Sequence, residues 1–422
     1  MNNKYLPRIS DKKLTLLLEA MGAVLIEGPK WCGKTRSAEM LAKSILYMQD
    51  PDVLEDNLLK AKTKPSILLE GDTPRLLDEW QVAPVLWNAV RFAVDKRQKR
   101  SQFILTGSVI PNRTDDMHTG TGRIARMKMR TMSLYESRES SGEISLDDMF
   151  NEQKDLSGKT KVNLEQIAFI LSRGGWPAAV NEQDEKLALM QVQSYLDAVV
   201  NEDISKIDGI EKNPDRVRAL LRSLSRNISS EASTMTILND LLTNDETLSQ
   251  VTIDQYVNCL KKIFVIEDLP AWSPHLRSKS AIRTTAKRHF TDPSIAVAAL
   301  GTNSKRLFED FKTFGLLFES LAIRDLRIYA ESIDGSVYHY RDSSGLEVDA
   351  IVQLKDGRWG AIEIKMGAGL IEEAAEKLIK FKNTINTDKM SEPSFLMVLT
   401  ATEHAFQLEN SVWVVPLGCL KN

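Results

Sequence analysis

The sequence predicts a multidomain α/β protein, and three stretches carry that prediction. Near the N-terminus a short apolar run, Ala23-Val24-Leu25-Ile26, leads into a glycine loop and then a helical pattern. In the middle, three amphipathic helical patterns precede an apolar strand pattern. Toward the C-terminus a helix is followed by three strands, a second helix and a fourth strand. At 422 residues the chain is too long for one ordinary core, so two to four domains are expected. Apolar residues at 42% and charged residues at 27% give the balance of a soluble globular protein. A net charge of −3 excludes a uniformly basic nucleic-acid binder, so any such surface must be a local patch. Cys32, Cys259 and Cys419 lie far apart, without the paired spacing of a zinc site or a disulfide framework, which fits a reducing cytoplasm. The first ten residues lack the apolar core of a signal peptide, and no apolar run approaches the ~18 residues of a membrane helix. A cytoplasmic location without membrane contact is therefore expected. Residues 136–158 are polar and read as a surface loop.

The first stretch is the most specific. Strand 23–26 runs straight into Gly28-Pro29-Lys30-Trp31-Cys32-Gly33-Lys34-Thr35, and Thr35 to Leu46 reads as a helix. Strand, glycine loop and helix in that order are the context a P-loop requires. Gly28 and Gly33 let the backbone curl so that successive N–H groups, helped by the helix start, point at phosphate oxygens. Lys34 would reach the β- and γ-phosphates of ATP, the Thr35 hydroxyl would ligate Mg²⁺, and Pro29 through Cys32 with Arg36 would complete the nucleotide cradle.

A second strand should supply an acid for the metal. Pro74-Arg75-Leu76-Leu77-Asp78-Glu79-Trp80-Gln81 is a short apolar strand ending in paired acids. Asp78 would hold Mg²⁺ through water, and Glu79 would orient or deprotonate the attacking water. A third buried strand, Gln102-Phe103-Ile104-Leu105-Thr106-Gly107-Ser108, is expected between the first two, where Thr106 or Ser108 would sense the γ-phosphate. A tight strand-end turn explains Gly107 as well. Arg123 and Arg126 follow a Gly/Thr-rich loop, and Arg123 is the candidate to neutralise transition-state charge, in its own subunit or a neighbour's.

These phrases, with Arg130-Thr131-Met132-Ser133-Leu134-Tyr135-Glu136 and Gly174-Gly175-Trp176-Pro177, resemble the AAA+-type P-loop ATPases whose C-terminal region is a DUF4143 domain. The resemblance covers most of the chain. It implies an AAA+-like ATPase followed by helical, winged-helix-like and nuclease-like parts, and it is compatible with a homo-oligomer, with ring, dimer and monomer all left open.

From Asn163 to about Ile210 the pattern is helical, with Leu189, Val192, Leu196, Val199 and Val200 on one face. By analogy this is a lid over the nucleotide. The next three helices bury Val217, Leu220, Leu221 and Leu224, then Ile237, Leu238, Leu241 and Leu242, then Ile253, Tyr256, Val257, Leu260 and Ile263. Strand 264–269 follows, so the segment suits a winged helix-turn-helix. Lys261, Lys262, His275, Arg277, Lys279, Arg283, Lys287 and Arg288 cluster beside it and would track DNA phosphates. Winged helices also dock proteins, and basic loops are commonly just solvated.

In the last third, a helix over 305–326 precedes strands at 336–341, 347–354 and 359–365, a helix over 372–385 and a strand at 394–399. Asp356-Gly357 is a hairpin turn signal. Asp349 and Glu363 are nearly equidistant from that turn and should face each other, while Glu363 and Lys365 share one face of their strand. Charged side chains converging on an apolar sheet need a metal or mutual pairing. Asp, then Glu-x-Lys on the next strand, preceded by an acid on the helix, looks like the PD-(D/E)xK nuclease superfamily, a restriction-endonuclease-like αβββαβ fold. That resemblance implies Mg²⁺ or Mn²⁺ on Asp349 and Glu363, water activation by Lys365, and Glu319 completing the acidic cluster. The alternative is a salt-bridged Glu363–Lys365–Asp349 group in a fold that only binds DNA or protein. The expected domains are 1–145 (ATPase), 146–210 (lid), 211–300 (winged helix) and 301–422 (nuclease-like).

Overall fold

The computed structural model describes residues 5–110, 118–151, 156–207, 209–242, 247–274, 285–386 and 390–422. The N-terminal runs become a five-stranded parallel sheet of β1 (Ala23–Glu27), β2 (Ser44–Tyr47), β3 (Arg75–Asp78), β4 (Phe103–Gly107) and β5 (Ile124–Lys128). Their spatial order is β2-β3-β4-β1-β5, so β4 lies between β1 and β3, as expected. Alternation along the strands divides the apolar side chains into two layers. Ala23, Leu25, Leu77, Phe103 and Leu105 pack with Trp80 and Trp87 on one face. Val24, Ile26, Leu76 and Ile104 pack with Leu14 and Leu18 of the helix Ile9–Ala20 on the other. A sheet covered on both faces explains why its central strands read as continuous apolar runs.

Two elements differ from the sequence reading. The helix after the P-loop ends at Glu39 rather than Leu46, and Ser44–Tyr47 is a strand whose residues alternate between half-buried and exposed. It pairs on one side only, with β3, and an edge strand buries too little to show a strong apolar signal. The described residues of 136–158 do not form a surface loop. Glu136, Ile144, Leu146, Met149 and Phe150 are buried, and the Phe150 ring meets Phe395 of the C-terminal part at 5.1 Å between centroids. The short strands β6 (Ile144–Ser145) and β7 (Gly158–Lys159) stitch this segment to the end of the chain.

The middle contains helices Leu164–Arg173, Glu185–Ala198, Pro214–Arg226, Thr234–Leu242 and Gln250–Lys262, followed by an antiparallel pair, β8 (Ile266–Leu269) and β9 (Lys287–Phe290). The chain leaving β8 does not project as a free loop at its start. Trp272 donates its backbone N–H to His339 O at 2.6 Å and stacks 4.9 Å from Trp359. His275, Arg277, Lys279 and Arg283 lie outside the described residues.

The C-terminal sheet contains β10 (Gly335–Arg341), β11 (Glu347–Leu354), β12 (Trp359–Lys365), β13 (Phe395–Thr400), β14 (His404–Gln407) and β15 (Trp413–Pro416). Its order is β10-β11-β12-β13-β15-β14-β7. The first three strands are antiparallel neighbours, and β12 pairs parallel with β13 after the crossover helix Ile371–Thr384. The helix expected ahead of the sheet runs from Phe311 to Ser332 and is buried along most of its length. It lies between the sheet on one side and helices Ile9–Ala20 and Leu164–Arg173 on the other. One buried apolar cluster runs from Leu134 to Leu420 and unites the helical middle with one face of the C-terminal sheet. A short strand β16 (Leu420–Lys421) closes the chain against β6. Among the described residues no helix is long and apolar enough to cross a membrane.

What joins the two halves is polar and buried. Asp292 accepts from the Thr131 hydroxyl at 2.7 Å and the Gly175 N–H at 2.9 Å, and Arg324 lies 3.0 Å from it. Arg324 also pairs with Asp325 at 2.8 Å, and Asp325 accepts the Leu134 N–H at 2.9 Å. Gly175 is held from both sides, because its carbonyl accepts the Met132 N–H at 2.7 Å. A Cβ on Gly175 would lie 2.1 Å from Met132 O, a backbone atom that cannot step aside. Gly175→Ala is expected to cost at least about 2 kcal/mol in a urea-unfolding series, as overpacking does. Gly369→Ala, where nothing lies within 4 Å of the added atom, serves as the near-neutral control.

Candidate nucleotide site and a C-terminal ion cluster

The loop after β1 has the backbone a phosphate cradle needs. Gly33 has φ of 101°, a left-handed conformation that favours glycine. Gly28 is pressed against the residue after β5, since a Cβ there would lie 2.1 Å from Met129 O. Lys34 is buried and its Nζ donates to the Gly28 and Pro29 carbonyls at 3.0 and 2.8 Å. The ammonium therefore lies within the curl of the loop. Cys32 is buried beneath it, and Lys30 turns away to pair with Asp203 at 2.6 Å. Trp31 is half-exposed in a left-handed conformation, with φ of 65°. Arg36 pairs with Glu39 at 2.8 Å on the exposed side of the helix.

The parallel strands bring the remaining predicted residues to this loop. Asp78 and Thr106 lie at the C-terminal ends of β3 and β4, the same edge as the loop after β1. Asp78 Oδ1 accepts from the Thr35 and Thr106 hydroxyls, each at 2.7 Å. The Thr106 hydroxyl in turn accepts the Glu79 N–H at 3.1 Å, and Ser108 donates to Glu79 Oε2 at 3.1 Å. Gln81 also donates to that carboxylate. Glu79 is held in place with a φ of 52°, a left-handed value that is strained for a non-glycine residue. The Thr35 hydroxyl and Asp78 carboxylate are the hard oxygen donors that Mg²⁺ takes, so the residues fit the ion.

Arg123 is not part of this cluster. It precedes β5, and its backbone carbonyl accepts the Ala23 N–H at the start of β1, at the opposite edge of the sheet. Its guanidinium pairs with Asp95 at 2.7 Å. Arg126 pairs with Glu27, also at 2.7 Å. The sequence reading passed over Arg8, which donates to Cys32 O at 2.7 Å, Arg130 O at 2.8 Å and Glu136 at 3.0 Å. Those partners are up to 128 residues away, so no local pattern marks the arginine. A cavity of about 390 Å³ opens beside Gly33, lined among others by Leu6, Trp31, Arg36, Pro177 and Gln191. The Gly174-Gly175-Trp176-Pro177 phrase was the available signal for that wall.

The C-terminal acids also converge. Ala350 pairs with Ile362, so continuing that antiparallel register sets Asp349 opposite Glu363. Lys365 Nζ lies 2.9 Å from each of them. Glu319 joins through Lys287 of β9, whose Nζ is 3.1 Å from Glu319 and 3.9 Å from Asp349. Lys377 from the crossover helix lies 2.9 Å from Glu363. Three carboxylates thus face three ammonium groups. Burial would raise the Asp349 carboxyl, but Lys365 and Lys287 outweigh it and hold it below its ordinary value. Burial and the neighbouring Asp349 push Glu363 up and bring Glu319 to about 7. Burial would lower Lys365, yet the two acids beside it keep it above the usual lysine range. The three acids are the hard donors of a Mg²⁺ or Mn²⁺ site, but each already faces a lysine. Among the described residues no group of three or more metal-ligating side chains stands ready to hold an ion. Near β8, Lys261 pairs with Asp268, and Arg288 lies 3.9 Å from the same carboxylate.

A parallel sheet with a glycine loop after an interior strand, and an acid pair on the second strand over, defines a P-loop nucleotide-binding domain. Residues 21–137 match the family model of an AAA domain, residues 164–306 a domain of unknown function (DUF8612), and residues 314–420 a domain of unknown function (DUF4143). The chain therefore carries an AAA domain toward its N-terminus and a DUF4143 domain at its C-terminus. A search of curated proteins returns no match. Among solved structures it is similar to a Walker-type ATPase of Pyrococcus abyssi, at 13% identity over 71% of this chain and 99% of that one, with a TM-score of 0.41. It is also similar to a signal-transduction ATPase with numerous domains and a tetratricopeptide-repeat sensor from Pyrococcus horikoshii. There the identity is 15% over 78% of this chain and 50% of that one, with a TM-score of 0.26.

Removing Lys287 would leave Glu319 and Asp349 buried with one cation fewer. Lys287→Met is expected to destabilise the protein by about 3–5 kcal/mol. Adding Glu319→Gln should restore at least about 1 kcal/mol, read as the coupling energy of a double-mutant cycle in urea.

Proposed function

We propose that the chain binds ATP at the loop after β1 and hydrolyses it. The observation that carries this reading is the convergence of the Thr35 and Thr106 hydroxyls on Asp78, with Glu79 next to it at the same sheet edge. Backbone N–H groups of Pro29 to Lys34 would cradle the phosphates, and the Lys34 ammonium would leave the Gly28 and Pro29 carbonyls to meet the β- and γ-oxygens. Thr35 and Asp78 would hold Mg²⁺, which supplies positive charge to the phosphate oxygens when bound. Glu79 would take a proton from the attacking water, and Ser108, already on the Glu79 carboxylate, would report the γ-phosphate.

A second reading assigns the C-terminal domain a DNA-directed, metal-dependent cleavage of the PD-(D/E)xK kind, controlled by the nucleotide state. The meeting of Glu319, Asp349, Glu363 and Lys365 favours it. The seating of Lys287 and Lys377 on those acids favours instead a regulatory nucleotide switch, in which the C-terminal and winged-helix-like parts bind DNA or protein without cutting. We take the switch as the working form of the coupling.

Both readings are open to test on the purified full chain. Lys34→Ala should abolish ATP turnover, and Glu79→Gln should keep ATP binding while lowering kcat by about 10²–10⁴-fold. Turnover unchanged in Glu79→Gln would remove that residue from the reaction. Supercoiled and linear DNA incubated with Mg²⁺ or Mn²⁺ and ATP should remain intact while ATP is consumed. Cleavage that disappears in Lys365→Ala would replace the switch with the nuclease.

A further inference from the structure

Two consecutive side chains of the P-loop take their partners from the helical middle. The Trp31 ring lies 6.0 Å from that of Tyr195 on the helix Glu185–Ala198. Lys30 donates to Asp203 Oδ1 at 2.6 Å, and Asp203 ends the π-helical turn Val199–Asp203 that continues the same helix. The two members of this ion pair are unequally placed, since the Asp203 side chain is 8% exposed and the Lys30 side chain 44%. A carboxylate buried to that degree needs a cation beside it, whereas an ammonium on a flexible stem open to water can change partners.

The pair stands next to the residue assigned to the γ-phosphate. Lys30, Asp203 and Ser108 line one cavity of about 50 Å³, together with Tyr195, Val199 and Lys206. A space of that size holds no more than a few waters, so its walls are close to one another. Ser108 is the side chain that donates to Glu79 Oε2 at 3.1 Å. Lys34 occupies the inside of the loop, on the Gly28 and Pro29 carbonyls, and Lys30 is the second ammonium of the same loop, in the wall that contains Ser108. Asp203 also keeps a cation nearby when Lys30 leaves it. Lys206 lines the same cavity, and its own partner, Glu202 at 2.9 Å, makes with it an exposed pair that holds weakly.

We propose that Lys30 distinguishes ATP from ADP: Asp203 holds its ammonium until a γ-phosphate arrives and then gives it up to a γ-phosphate oxygen. The proposal rests on the proposed ATP site and adds to it a residue that selects the triphosphate. A terminal phosphate carries more negative charge than one carboxylate, and hydrogen bonds between ionised groups are the strong ones. ADP lacks that phosphate and leaves Lys30 on Asp203. With ATP the loop is released from Asp203, and Lys206 is the cation that remains beside that carboxylate. The helical middle thereby meets the third phosphate through one exchangeable bond, while the Trp31–Tyr195 contact keeps it against the loop.

The experiment measures the affinities of ADP and of the β,γ-imido analogue of ATP, which resists hydrolysis, by calorimetric titration of the full chain with Mg²⁺. Lys30→Met should lose about tenfold more affinity for the analogue than for ADP, the size of one hydrogen bond between charged groups. Asp203→Asn, which removes the competing charge, should raise the preference for the analogue by at least about threefold. Lys30→Arg keeps the cation and should keep the preference. Where Lys30→Met, which strands a buried carboxylate, does not fold, the double variant Lys30→Met with Asp203→Asn removes both charges and should show the same loss. Equal losses for the two nucleotides in Lys30→Met or in the double variant make Lys30 a tether of the loop alone and overturn the proposal. A preference in Asp203→Asn no greater than that of wild-type protein overturns it as well. Either result leaves the nucleotide site standing. If wild-type protein binds neither nucleotide, the site itself falls and this proposal with it.

Discussion

The arrangement of this protein depends on the seven residues from Arg130 to Glu136 and the buried charges they meet. The segment leaves the parallel sheet directly after β5 and enters a region where Arg324 sits between Asp292 and Asp325 at 3.0 and 2.8 Å, all three out of solvent. Thr131 and Leu134 hydrogen-bond to the two aspartates, while Arg130 reaches Glu267 and Glu331 at 2.7 and 2.8 Å. Glu136 receives Arg8 and the Ile9 N–H, at 3.0 and 2.8 Å. Charges in such a setting are tolerable only when every partner is in place, so the segment can take one path.

That constraint sets how the domains lie together. The central helix Phe311–Ser332 contributes Arg324 and Asp325, the middle contributes Asp292 and Gly175, and the N-terminal helix is approached through Arg8. The ATP-binding loop is part of the same construction, because Arg8 holds the Cys32 carbonyl while also holding Glu136. The loop, the helical middle and the C-terminal helix are thereby joined through a continuous set of buried bonds. The AAA domain and the C-terminal domain meet across a buried polar joint.

The two candidate sites contrast in a useful way. At the nucleotide site the acids are few and their side-chain partners are neutral, the hydroxyls of Thr35, Thr106 and Ser108 and the carboxamide of Gln81, which leave the negative charge uncompensated. In the C-terminal cluster the acids meet ammonium groups one for one, and two of those come from elements outside the three-strand motif: Lys287 from β9 and Lys377 from the crossover helix. The same residue types thus leave negative charge uncompensated in one place and neutralise one another in the other.

Much of this was legible in the residues, and the reason is local. The P-loop, the Asp78-Glu79 pair and the Thr106–Ser108 strand end are short patterns whose geometry follows from strand, turn and helix alone, and a parallel sheet delivers them to one edge. The opposition of Asp349 and Glu363 followed from counting outward from a tight turn. The edge strand Ser44–Tyr47, the burial of Glu136, Ile144, Leu146, Met149 and Phe150 and the far-edge position of Arg123 were not legible, because each depends on what packs alongside rather than on neighbours in the chain. By itself the sequence determined which residues would form the nucleotide loop, its acids and the C-terminal hairpin. Only the tertiary structure decided that Arg8 ties the loop to Glu136, that Lys287 and Lys377 sit on the C-terminal acids, and that Gln191 borders the cavity at Gly33. Those contacts join residues tens to hundreds of positions apart, and burial sets their strength, a quantity no linear pattern contains.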